Sequence, residues 1–556
     1  MTRKLPTALV LTSLVTSLVT FLAPAPAVLA QGHEHDHTHA DPAASLGNVR
    51  FPTSCRPEVA ADFERAVAHL HSFGYEAARI AFAAVAERDP ACAMAQWGIG
   101  MSWYHPIWAP PTPQELAAGR AAAEKAAALG APTPREQGYV AAIGAFYKDA
   151  DRLDHRTRAR AYLAAVEELA RRQPDDHEAA IFHALALLGT APPSDATYAQ
   201  QKQAAAILER ILPLAPEHPG VAHYIIHSFD YPELALLALP AARSYAKIAP
   251  ASAHALHMPS HIFVRLGLWQ EAIDSNLASA AAADRWVAER HPGAAAFDTL
   301  HALDYLAYGY LQTCQDDKAK EVLARTAAAR TFDDPGFAVG YAVAAVPARW
   351  TLERRRWAEA AALAAPLPSL PWDRYSYALA LHHFARALGA ARSGDAAAAR
   401  TALGEIERLH AGLRQAPPAG PYDWAGQVEA LRLAAAGWLA RAERKDEEAV
   451  RLLTAAADLE DRVGKHPVSP GAVLPARELL ADLLLEQGKG AAALAEYDAV
   501  LRSAPGRFNA LYGAARAAEL AGDGPAARQR YEALVALCGE GDREELRRAR
   551  EVLAAR

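Results

Sequence analysis

Residues 479–505 read LLADLLLEQGKGAAALAEYDAVLRSAP, and residues 511–537 read LYGAARAAELAGDGPAARQRYEALVAL. Gly488 and Gly522 stand 34 residues apart, as do Tyr497 and Tyr531. A 34-residue period, with small residues at a turn and a bulky residue in the second helix, is the tetratricopeptide pattern. One such helix pair cannot bury its apolar face alone, so units stack into a curved array. The expected fold is therefore all-α, a tetratricopeptide-like helical-repeat solenoid wound as a right-handed superhelix.

Working outward, the same spacing phases further units. One turns at Leu266-Gly267 and reaches Ala272; others turn at Cys314 and at Gly394. Near the N-terminus, Tyr75–Phe82 followed by Asp89-Pro90 and Trp97-Gly98 also fits. Pro-rich stretches at Pro106–Pro113, Thr190–Ser194, Leu363–Pro371 and Gln415–Pro421 read as loops. The chain has 556 residues, more than one compact core usually holds, which agrees with an array. Its 52% hydrophobic content is rich in alanine, the strongest helix former. The net charge of −7 leaves no basic excess to attract nucleic acid.

Arg3 and Lys4, an apolar run from Leu5 to Leu22, and a Val-Leu-Ala ending at Ala30 read as a cleaved secretory signal peptide. The product is expected to be periplasmic or secreted, with no membrane span in the mature chain. The expected divisions are a signal peptide over 1–30, a disordered His-rich lead-in over 31–57, and repeats with a His-lined groove over 58–362. Pro-rich insertions with an intervening repeat follow over 363–421, then the regular C-terminal repeats over 422–556. An oxidising compartment permits disulfides among Cys55, Cys92, Cys314 and Cys538. Cys55 with Cys92 is the pair expected to staple the N-terminal segment to the first repeats; the alternative is four unpaired, mostly buried thiols.

Of 22 histidines, two groups stand out. His33, His35, His37 and His39 alternate with other residues just after the expected cleavage site, a pattern suited to loose capture of transition metals. The second group lies in the middle repeats. His223 and His227 are four apart, and so are His257 and His261, so each pair shares a helix face. The two pairs are 34 residues apart. With Gly267 at position 15 of its repeat, His254, His257 and His261 fall at positions 2, 5 and 9. One repeat earlier His223 and His227 take positions 5 and 9, and one repeat later His301, Asp304 and Tyr308 take 2, 5 and 9. These positions line the concave groove of such arrays. Neutral imidazoles suit zinc or copper, and a carboxylate can complete the shell. His223, His227, His254, His257, His261, His301 and Asp304 are thus the candidate metal ligands. His71, His105, His183 and Tyr308 are candidates for extending the groove. Pro259 falls inside an expected helix and should bend or break it.

The runs WGIGMSWYHPIW, HPGVAHYIIHSFDYPELALLALPAAR and IAPASAHALHMPSHIFVRLGLW resemble a family of exported bacterial tetratricopeptide-repeat proteins of poorly defined function. The resemblance spans roughly residues 59–320 and implies a signal peptide, a helical array and His-rich motifs. It implies no reaction. Three functions remain open: a metal-binding repeat protein holding zinc or copper in its groove, a scaffold or adaptor for a protein or peptide partner, and a metalloenzyme built in the same groove.

Overall fold

The computed structural model describes residues 45–107, 110–192, 195–416 and 422–555. Among them the chain is a succession of helix–turn–helix pairs, each helix packed on its sequence neighbours, with no β-strand; an isolated bridge joins Ala295 to Phe332. The quoted repeats form the pairs Ala476–Glu486 with Gly490–Ser503 and Phe508–Leu520 with Gly524–Cys538. Tyr497 and Tyr531 are fully buried at matching places. The residues taken as turn markers share one backbone conformation: Gly267, Gly394, Gly488 and Gly522 have φ between 69° and 84°, and Cys314 has φ 59°. Phe73, Arg355 and Arg444 adopt it too, at turns that carry no glycine there. The left-handed turn is thus a property of the repeat, and non-glycine residues hold it against their local preference because the flanking helices pack.

Pro259 breaks its helix as the missing N–H requires. Ala253–His257 and Pro259–Leu266 are separate helices joined through Met258, which keeps helical dihedrals of −53° and −36°. His254 therefore sits on a helical turn, beside His257. Helices Ser376–Arg392 and Ala396–Gln415 form the intervening repeat between Pro-rich segments.

The N-terminal lead-in differs from expectation. Residues 1–44, including the expected signal peptide and His33, His35, His37 and His39, lie outside the described residues. From Leu46 onward the segment expected to be disordered is packed. Leu46, Val49 and Phe51 are buried, and Phe51 meets the rings of Phe63, Trp97 and Tyr139. The backbone N–H and hydroxyl of Ser54 both donate to Glu136 Oε1. Three apolar side chains in a polar stretch are enough to anchor it once a hydrophobic surface exists.

The array does not remain an open groove. Its C-terminal repeats return against the middle ones. Trp269 Nε1 donates to the Gly506 carbonyl at 3.2 Å, and the Phe508 N–H to Gln312 Oε1 at 2.9 Å. Arg543 binds Asp316 and the Leu311 carbonyl. The segment 465–474 lies in the interior: Tyr305 donates to the Pro467 carbonyl, and Arg349 to the carbonyls of Gly471 and Ala472. Cys55 pairs with Cys92 as expected, and Cys314 pairs with Cys538 across 224 residues. On the chain-entropy account a loop that long contributes about 5 kcal/mol. Replacing Cys314 and Cys538 by alanine is expected to lower the thermal midpoint by several degrees under non-reducing conditions. A midpoint equal to the parent's would show that the closure holds without the bridge.

Candidate metal centre

Helix Pro219–Phe229 carries His223 and His227, four residues apart and so one above the other. His254, on the turn Ala253–His257, meets them from the next repeat. His223 Nε2 lies 3.1 Å from His227 Nε2 and 3.1 Å from His254 Nε2. The other nitrogen of His223, Nδ1, lies 2.6 Å from the backbone carbonyl of His71. A carbonyl can only accept, so Nδ1 bears the proton and Nε2 presents its lone pair to the other two rings.

The second group repeats the device. His257 Nδ1 donates to Asn276 Oδ1 at 2.7 Å, and the Asn276 amide nitrogen donates to the Ala272 carbonyl, which settles the orientation of the amide. His261 Nδ1 donates to Asp230 Oδ2 at 2.9 Å. Both rings therefore turn bare Nε2 lone pairs toward each other, and these nitrogens are 3.0 Å apart. Two lone pairs at that distance repel unless a cation lies between them. His301 completes the group, its ring centroid 4.3 Å from that of His257. Two imidazole nitrogens bound to one metal at about 2.0–2.1 Å, at angles between square and tetrahedral, lie roughly 2.8–3.4 Å apart. The measured separations fall in that interval.

The surroundings keep these rings neutral, the ligating form. Burial drives His223, His254, His257 and His301 well below the usual imidazole range, and neighbouring histidines push the same way. Burial also lowers His227, to about 3, against the pull of Asp230. His261 is lowered by burial although Asp230 opposes it. Asp230 itself stays ionised: burial pushes it up, but Lys465 and Arg265, with His261, outweigh that and hold it well below the carboxylate range. Arg265 Nε and Lys465 Nζ lie 3.0 and 3.4 Å from its carboxylate. Burial lowers the Lys465 ammonium to about 8 despite that contact.

Behind the first group lies a further polar layer. Glu178 accepts from Nε2 of both His71 and His218 at 2.8 Å, and Tyr224 donates to His71 Nδ1 at 3.0 Å. His71 thus orients its own segment, whose carbonyl orients His223; outer partners of this kind fix ligand tautomers at metal sites. Phe73 covers the group from the apolar side, its ring centroid 4.4 Å from His223 and 5.3 Å from His254.

The structure brings together all six histidines singled out in the middle repeats. It does not bring Asp304 to them. That carboxylate, expected among the ligands, is buried in a two-point contact with Arg349, at 2.7 and 3.2 Å. Tyr308 accepts from Arg507 at 3.2 Å. The His105 ring lies 4.5 Å from that of Tyr75 at a tilt of 53°, and His183 lies in helix His177–Thr190; neither joins a triad. The rings are also more enclosed than a groove lining implies: His227 is the most open of the six at 9% exposure. Residues 465–474 occupy the space where an open groove was expected. Asp230, Asn276, Phe73 and Lys465 escaped the sequence reading. Asp230 directly follows the HYIIHSF run and carried a local signal; Lys465, more than 200 residues away in a Pro/Gly-rich loop, carried none.

No family model matches the chain, and no curated protein matches it. Solved structures of helical-repeat proteins do. Human IFIT1, as a dimer with m7Gppp-AAAA, aligns at 14% identity over 81% of this chain and 90% of its own, with a TM-score of 0.37. Cut9–Hcn1 of the APC/C aligns at 10% identity over 89% and 95%, with a TM-score of 0.29. The P58(IPK) TPR domain aligns at 16% identity over 68% and 98%, with a TM-score of 0.21. The chain is similar to these proteins in being an array of helix pairs.

Proposed function

We propose that this protein binds a transition metal, copper or zinc, through the histidines of its middle repeats, and that it does so as an exported protein. One observation carries the metal reading. The Nδ1 atoms of His223, His257 and His261 are committed to acceptors, so their Nε2 lone pairs converge at 3.0–3.1 Å on neighbouring nitrogens. Between His257 and His261 both facing nitrogens are lone pairs, so a cation there satisfies both, whereas the His223 lone pair can also accept an N–H from His227 or His254. The two disulfides support the exported reading, since such bonds persist in oxidising compartments. A peptide-binding adaptor is less well supported, because the protein's own segment 465–474 fills the interior of the middle repeats.

The test is metal analysis of protein produced without a histidine tag. Copper or zinc should remain after extensive dialysis. The double variant His223→Gln/His261→Gln should lose it while keeping its helical circular dichroism. A variant with His33, His35, His37 and His39 changed to Ser should retain it. Metal content unchanged in the double variant would refute the core site, and metal lost only with the tail would assign it there instead.

A further inference from the structure

Six histidines are more than one ion uses, and they fall into two sets of three: His223, His227 and His254, and His257, His261 and His301. The sets adjoin. His254 and His257 sit on the same helical turn with ring centroids 6.4 Å apart, and His227 and His261 face each other across the repeat boundary, also at 6.4 Å. This arises from the repeat itself. Two successive repeats each offer one i,i+4 pair, and the 34-residue register stacks the pairs side by side.

Two features bear on what lies between the sets. First, each set supplies three neutral imidazoles, and three protein ligands leave a coordination position open. The carboxylates around the sets are engaged elsewhere: Glu178 is held by His71 and His218. Asp230 is held by His261, Arg265 and Lys465, and Asp304 by Arg349. Second, the local charge is unbalanced. Two metal cations, with Arg265 and Lys465 close by, would face Asp230 as the nearby ionised carboxylate. A buried excess of positive charge requires an anion.

Resting on the metal reading above, we infer that the two triads form one dinuclear centre whose ions share a small bridging anion, of the hydroxide or azide class, at their open positions. Two-metal sites hold their ions roughly 3.5–4 Å apart, within reach of one bridging atom. The phenyl ring of Phe73 on one side and the ring of Tyr305, 4.7 Å from His257, on the other restrict the bridge to a small ligand.

The experiment loads the full chain, with His33, His35, His37 and His39 changed to Ser, with Cu(II) and removes loosely bound ion. Copper is counted by elemental analysis, and its oxidation state is checked with a Cu(I)-specific chelator. A bridged pair predicts two Cu(II) ions per chain with only a small fraction visible by electron paramagnetic resonance, because the bridge couples their spins. Azide should perturb the optical spectrum. His227→Gln and His301→Gln act on one triad each, so either variant should retain one copper that is fully visible. Two copper ions that are both fully visible in the parent would overturn the pairing and leave two separate sites. One copper in the parent would overturn the pairing while leaving the metal reading intact. No copper or zinc in any preparation would remove both.

Discussion

Acidifying the metal-free protein from pH 7 to pH 5 is expected to cost it a large part of its stability. His223, His227, His254, His257, His261 and His301 all have folded-state values below the ordinary 6.5, mainly because burial penalises their charged forms. A group depressed in the folded state contributes stability above its unfolded value, and loses it as pH falls toward the folded value. The window therefore opens near 6.5 and, for His227, extends down to about 3. Within it the unfolded chain binds protons that the folded chain refuses. Each such histidine shifts the folding equilibrium about tenfold per pH unit. The rings interact, so protons enter the folded state in shared steps and the slope is shallower than six independent groups would produce. Several kcal/mol is still a substantial share of the roughly 5–15 kcal/mol that holds an ordinary domain together. Zinc or copper should oppose the loss near neutrality by mass action, and should dissociate as acid protonates the ligands. Thermal midpoints measured from pH 8 to pH 4.5, with and without metal, check both statements. A metal-free midpoint that does not move between pH 7 and pH 5 would show that these rings are not held neutral.

Arg507→Met is expected to be among the most damaging single substitutions. Arg507 is fully buried, and its guanidinium binds Glu478 at 2.6 Å, Glu353 at 2.7 and 3.0 Å, and the Tyr308 hydroxyl. These partners come from helices Ala476–Glu486, Phe337–Glu353 and Phe297–Gln312, so one side chain joins the returning C-terminal repeats to the middle of the array. Removing it leaves two buried carboxylates facing each other, with Arg355, 4.0 Å from Glu478 and already bound to Asp482, as the remaining nearby cation. Breaking such a cluster costs about 3–5 kcal/mol, far more than the intact cluster is worth relative to apolar packing. Arg528→Ala is the control: its contact with Glu532 is an exposed i,i+4 pair, and such pairs contribute little. Denaturant midpoints of the two variants should differ clearly. Equal midpoints would mean that Arg507 does not fasten the returning repeats.

Much of the site was legible because the chemistry follows the repeat. His223, His227, His257 and His261 could be placed on common faces from their spacing, and the 34-residue offset put the two pairs side by side. Asp304 shows where such reasoning stops. Its register position put it on the groove-lining side of its helix, but register does not say which partner waits there, and the structure pairs it with Arg349. Leu46, Val49 and Phe51 show the converse. Their stretch has no helical period, so it read as disordered, yet it is anchored by contacts to Phe63, Trp97 and Tyr139 that local pattern does not encode.

The sequence by itself determined the helical repeat, the places of several of its turns and the alignment of histidines on successive helices, because each depends on spacing within one or two neighbouring units. Only the tertiary structure decided that the array closes on itself. The Cys314–Cys538 bridge, the Arg507 cluster and the inward segment 465–474 all join residues more than 100 positions apart. Such contacts are specified by the accumulated curvature of many repeats, which no local window contains. The same closure converts an open histidine-lined groove into a buried centre. It brings Lys465 to Asp230 and removes the water that would otherwise leave those imidazoles free to take up protons.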